Sequence, residues 1–120
     1  MNSFLTTKIK VKTKDDLFDD GNAALAIGEL EAAEAAYAAA LALDENDAEI
    51  WHALAMVRYK RGAYPASIEA GRRAVTLDVN NQLAWTSLSL AHMKNGQIPE
   101  AEAAAAKAKV ISWGGKVKLE

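Results

Sequence analysis

The side chains that could do chemistry are few in this chain. There is no cysteine, which excludes disulfide frameworks, thiol catalysis and thiolate metal sites. The two histidines, His52 and His92, lie 40 residues apart. A lone imidazole without a paired carboxylate or a second ligand at metal spacing makes neither a zinc site nor a general base with an orienting partner. Carboxylates cluster at Asp15, Asp16, Asp19 and Asp20, but the alternating acidic pattern of a calcium loop with its closing glutamate is missing. Acidic residues at that position suit the positive end of a helix. Lys8, Lys10, Lys12 and Lys14 make a basic arm, KIKVKTK, read as a solvated terminus. No GxSxG, HExxH, phosphate-binding or dinucleotide-binding glycine motif occurs, so no catalytic activity, metal or cofactor is expected.

With no site announced by its chemistry, the elements have to be read for what they could present. The 120 residues carry 14 basic and 16 acidic side chains, a net charge of −2 that gives no attraction for nucleic acid. Twenty-six alanines and only two prolines predict a helical chain, since alanine loses no side-chain entropy in a helix. Phe4 and Leu5 are the only adjacent apolar pair in the opening dozen residues, and no apolar run approaches a membrane span. A soluble, cytoplasmic protein with no membrane span is the expectation.

The sequence repeats itself every 34 residues, in blocks 14–47, 48–81 and 82–115, preceded by an arm of 13 residues and followed by a tail, 116–120. Small residues fall into four columns: Gly28, Gly62 and Gly96; Ala33, Ser67 and Ala101; Ala40, Ala74 and Ala108; Gly21, Ala55 and Ser89. Large residues align as Leu17, Trp51 and Trp85, then Leu30, Tyr64 and Ile98, then Leu43, Leu77 and Ile111. Apolar residues recur at helical spacing on both sides of each column glycine, so each block reads as two helices with a glycine closing the first. Pro65 and Pro99 mark the start of the second helix, and Thr13, Asp47 and Asn81 are placed to cap the first. Six helices are predicted, near 14–27, 31–43, 48–61, 65–77, 82–95 and 99–112.

This pattern resembles the tetratricopeptide repeat, W-x2-L-G-x2-Y followed by A-x3-F and a later alanine. The residues that carry it are Trp51, Leu54 and Ala55, then Trp85, Leu88 and Ser89, with Ala33, Tyr37 and Ala40 in block one. Block one departs with Leu17 and Asp20, and the aromatic kept by Tyr37 becomes Gly71 and Ala105, which should leave block two less tightly packed. His92 falls where the family has a packing tyrosine, so it is expected to be structural.

The resemblance implies an all-α, right-handed solenoid of three antiparallel helix-turn-helix repeats, with the first helices lining a concave groove. Its inward columns map to Asp15, Phe18, Asn22 and Leu25, then Glu49, His52, Met56 and Tyr59, then Leu83, Thr86, Leu90 and Met93. Ten of these are taken as the partner-binding groove: Phe18, Asn22, Leu25, His52, Met56, Tyr59, Leu83, Thr86, Leu90 and Met93. Burial of Leu25, Tyr59 and Met93 between repeats is an open alternative. The implied function is a protein-interaction module or scaffold for an apolar or helical segment, the alternative being a small chaperone like the three-repeat secretion chaperones. The carboxylate clamp of some family members is not matched, because Phe18, Asn22, Ala53, Leu83 and Ser87 hold its positions and include no cation. A mostly monomeric protein is expected, with weak self-association of the last helix through Val110 or Trp113.

Overall fold

The computed structural model describes residues 11–119. Lys8 and Lys10 of the basic arm lie outside them. Among the described residues six helices follow in order: α1 Lys14–Ala26, α2 Leu30–Leu43, α3 Ala48–Lys60, α4 Tyr64–Leu77, α5 Gln82–Lys94 and α6 Ile98–Ser112. Each boundary falls within a residue or two of the expectation because the signals are local.

Odd and even helices start differently. Thr13, Asp47 and Asn81 each accept a hydrogen bond from the backbone N–H three residues on, and the Asp16 side chain accepts one from the Thr13 N–H to complete a capping box. The even helices have no side-chain cap and follow a tight turn instead, entered through Gly28, Gly62 and Gly96 at φ of 80°, 78° and 76°. That left-handed conformation is open to glycine without a Cβ penalty, which accounts for the column.

The residues of the buried small-residue columns lie in the core, and two of the columns meet across the helix pair. Gly21, Ala33, Ala40, Ala55, Ser67, Ala74, Ser89, Ala101 and Ala108 are all buried. The hydroxyls are used where the backbones meet. Ser67 Oγ donates to the Ala55 carbonyl at 2.8 Å, and in the next repeat Ser89 Oγ donates to the Ala101 carbonyl at 2.7 Å. One hydroxyl from either side thus satisfies itself at the same crossing point.

The tryptophan column is equally regular. Trp51 and Trp85 donate through Nε1 to the carbonyls of Glu45 and Val79, both at 2.7 Å, tying each odd helix to the turn before it. Arg73 and Lys107, one repeat apart, lie 5.3 and 5.2 Å over the two rings.

Repeats are joined by their own contacts. Glu34 of α2 receives Arg58 and Arg61 of α3, while Lys14 reaches both Asp44 and Asp47 in the turn between repeats one and two. Lys14 therefore belongs to the first helix and its neighbour turn, not to the arm. Lys12 pairs with Asp20. Leu41 and Val75 are buried against the following repeat, whereas Lys109 in the same column is exposed, with no further repeat packed on it among the described residues. The tail is more than an end. Gly114 and Gly115 turn the chain, Val117 is buried in the core of repeats two and three, and its N–H donates to Asn80 Oδ1 at 2.7 Å.

Candidate functional site

The odd helices form the layer on which the groove residues lie, and the local sequence decides which of those residues stay available. In repeat one they are used for packing. Tyr37 is fully buried, lies over Gly21, and has its ring 5.7 Å from that of Phe18. Its hydroxyl donates to Asn22 Oδ1 at 2.6 Å. Phe18, half-buried, and Asn22 are thus held by an intra-repeat aromatic, and Leu25 packs on the same core. The only clamp-type residue present, Asn22, already serves Tyr37.

Repeats two and three are different. A cavity of about 430 Å³ opens between α3 and α5, floored by α4. Of the sequence-derived groove residues, His52, Met56, Tyr59 and Leu90 line it. Met56 and Leu90 are 38% and 49% exposed, and Leu83 and Met93 beside them are 61% and 52% exposed. Thr86 is exposed as well, its hydroxyl turned back to the Gln82 carbonyl. Burial between repeats therefore applies in part to Leu25 and Tyr59 and not to Met93. Tyr59 is half-buried and meets Tyr64 edge-on at 5.5 Å, closing one end of the cavity.

The lining residues absent from the sequence-derived set are Ala55, Lys60, Tyr64, Ser67, Gly71, Ala84, Ser87, Leu88 and Lys94. The signal for them was in the alignment of blocks: Gly71 stands where block one has Tyr37, so the floor of the second repeat lacks a ring. A Cβ on Gly71 would sit 3.1 Å from Leu88 Cδ1, so α4 and α5 also approach closely there.

Polar groups in the groove are few and mostly satisfied. His52 Nε2 and Ser87 Oγ are 3.1 Å apart across the two odd helices, and burial pushes the His52 imidazole below its ordinary pKa, so it is neutral at pH 7. His92 is buried, its Nδ1 2.9 Å from Gln97 Oε1, and serves the turn before α6. Glu34 lies outside the groove. Burial raises its carboxyl, but Arg61 and Arg58 outweigh that and hold it below the ordinary range. Among the described residues, no three His, Asp or Glu side chains converge as metal ligands would. The arrangement can bury apolar surface and pair charge; Ser87 and His52 make a hydroxyl–imidazole contact, and among the described residues no third polar group orients that imidazole.

No helix among the described residues is long and apolar enough to cross a membrane. Among solved structures, MamA superposes with a TM-score of 0.82 at 25% identity, covering 85% of this chain and 60% of its own. This chain therefore spans somewhat under two thirds of MamA. The second tetratricopeptide domain of Spaghetti (RPAP3), bound to an HSP90 peptide, matches at TM-score 0.79 and 20% identity over 92% of this chain and 99% of that one. PcrH, in complex with the chaperone binding region of PopB, matches at TM-score 0.80 and 20% identity over 89% and 86%. No curated protein sequence matches the chain significantly. The tetratricopeptide repeat family model matches residues 18–82, more than half of the chain. Together with six helices in a 34-residue repeat, that match shows that this chain belongs to the tetratricopeptide repeat family.

Proposed function

We propose that the chain is a protein-interaction module whose groove, centred on α3 and α5, binds an apolar segment of a partner protein. The observation that carries this reading is the exposure of Met56, Leu83, Leu90 and Met93 on α3 and α5, of which Met56 and Leu90 line an open cavity. Exposed apolar patches of this kind mark interaction sites, and methionine adapts to irregular side chains. Repeat one contributes less than repeats two and three, because Phe18 and Asn22 are engaged with Tyr37.

The acidic-tail mode represented by the Spaghetti domain is not favoured here, since no cation stands at Phe18, Ala53, Leu83 or Ser87. A chaperone role for an otherwise insoluble partner is the second reading. It is favoured by the fold shared with PcrH, itself solved in complex with the chaperone binding region of PopB.

The test is a charge at the groove centre. In a complex, the carboxylate introduced by Met56→Glu would be desolvated against apolar surface without a partner, at a cost of about 2–5 kcal/mol, whereas the free groove leaves it hydrated. Capture from source lysate on wild-type, Met56→Glu and Asp19→Ala chains, read by mass spectrometry, should show one partner retained by wild type and Asp19→Ala and lost by Met56→Glu. A folded Met56→Glu that captures the same partner would place the interaction elsewhere.

A further inference from the structure

The 34-residue repeat supplies an internal control for the cavity, because the space between repeats one and two is built from the same columns as the space between two and three. In the first it is full: Phe18, Tyr37 and Ile50 occupy it, Tyr37 and Ile50 being 0% and 1% exposed. In the second the same three positions are His52, Gly71 and Ala84, all lining the cavity. One ring has been removed from the floor and the two walls have been shortened. What remains keeps the apolar surround of Tyr59, Tyr64 and Leu88 that would hold a ring in place.

The mouth carries a second difference. Lys60 and Lys94 stand at it in one column, where block one has Ala26. Neither is ion-paired with any described residue, and no carboxylate lines the cavity. Two like charges beside an apolar recess repel a cation and favour an anion, and the neutral His52–Ser87 pair at the opposite side adds no competing charge.

Resting on the interaction reading above, we propose that this recess is a socket for one aromatic side chain of a partner segment that also carries a carboxylate, which pairs with Lys60 and Lys94. The partner supplies between repeats two and three the ring that Tyr37 supplies internally between one and two. Anchors of this kind, a ring in a desolvated pocket rimmed by charge, dominate binding at protein interfaces. The lysines lie at the C-terminal ends of α3 and α5, away from the positions at which an acidic-tail clamp would sit.

Three short peptides test the chemistry on the full chain by amide chemical-shift titration: acetyl-Glu-Trp-Asp-amide, acetyl-Lys-Trp-Lys-amide and acetyl-Glu-Ala-Asp-amide. The first should shift the amides of Gly71, Ser87 and Lys94 and bind at least tenfold tighter than either of the others. In a Lys60→Glu/Lys94→Glu variant, whose changes are at the exposed surface, the preference between the two tryptophan peptides should reverse. In Gly71→Leu, the filled floor should remove the advantage of tryptophan over alanine. Equal binding of all three peptides, or shifts confined to repeat one, would overturn the proposal. So would a charge-swapped variant that keeps the wild-type preference. If Met56→Glu loses its partner while these peptides show no preference, the groove reading stands and the socket alone is wrong.

Discussion

Two helical glycines one helix layer apart should respond to the same substitution with opposite signs. An alanine at either gains helix propensity of about 1 kcal/mol, so the sign is decided by what the added methyl meets. At Gly21 it would lie within 3 Å of the Tyr37 ring, with Cδ1 at 2.6 Å. That ring cannot swing away, because Tyr37 is fully buried, packed on Phe18 and anchored through its hydroxyl to Asn22. Forcing it aside separates α1 from α2 and strains or breaks that hydrogen bond, together about 2–3 kcal/mol against the gain of one. The net loss for Gly21→Ala is about 1–2 kcal/mol, a fall in Tm of roughly 4–8 °C for a chain of this size. At Gly71 the methyl meets only Leu88, first at Cδ1 3.1 Å away, the tip of a side chain that borders the cavity and can move into it. Gly71→Ala should therefore gain about 0.5–1 kcal/mol and melt a few degrees higher. Thermal and urea unfolding followed by circular dichroism measure both, with unchanged urea m-values confirming that the same unit unfolds. A Gly21→Ala chain at or above the wild-type Tm would refute the account of Tyr37 as a locked ring, and a Gly71→Ala chain that melts lower would show α4 and α5 to be rigidly packed there.

Ala74→Leu, at a position 1% exposed in the core shared by repeats two and three, should overpack it and cost about 1–3 kcal/mol in urea unfolding; an unchanged midpoint would mean the column is slack. Because burial lowers the His52 pKa in the folded chain, the unfolded chain binds the proton first. The stability that neutral His52 contributes is complete above about pH 6.5 and is lost as the pH falls below it. His52→Gln should flatten the urea midpoint between pH 7 and 5, and a slope that survives it would assign the effect to another group. Glu34, held below its ordinary pKa, produces a separate loss that begins only below about pH 4.5, and Glu34→Gln should remove that one. Trp113, which caps the C-terminal end of α6, is 75% exposed, and Val110 before it is 39% exposed. Light scattering should find a monomer with weak self-association that Trp113→Ser reduces, and a tight dimer insensitive to that change would contradict it.

How far the sequence could be read depended on whether the signal was local. Helix ends were legible because a cap or a left-handed glycine acts over three or four residues: Thr13, Asp47, Asn81 and the column at Gly28, Gly62 and Gly96 place every turn. The buried columns were legible because a crossing of two helices admits only small side chains, and a 34-residue period repeats the same crossing three times. That Phe18 and Asn22, like Met56 and Leu90, belong to a single stripe was legible, since 3-4-3 spacing puts residues on one face wherever the helix packs. Its division was not. Phe18 and Asn22 share that stripe with Met56 and Leu90, and nothing in their spacing distinguishes them.

The sequence by itself determined that the chain is six helices in three like pairs, which faces of those helices meet, and that block two lacks a ring at Gly71. The tertiary structure decided what that missing ring leaves. Tyr37, far along the chain from Phe18 and Asn22, takes both into the packing of repeat one, so that end of the stripe is occupied. Where Gly71 replaces it, α3, α4 and α5 enclose open space, and Lys60 and Lys94 arrive at its mouth from two different repeats. The buried Val117 and its bond to Asn80 arise in the same way, from a tail whose five residues carry no periodic signal. Each depends on side chains 15 to 37 residues apart meeting in space, and pairwise encounters at that range are set by how the repeats stack and not by the spacing within any one helix.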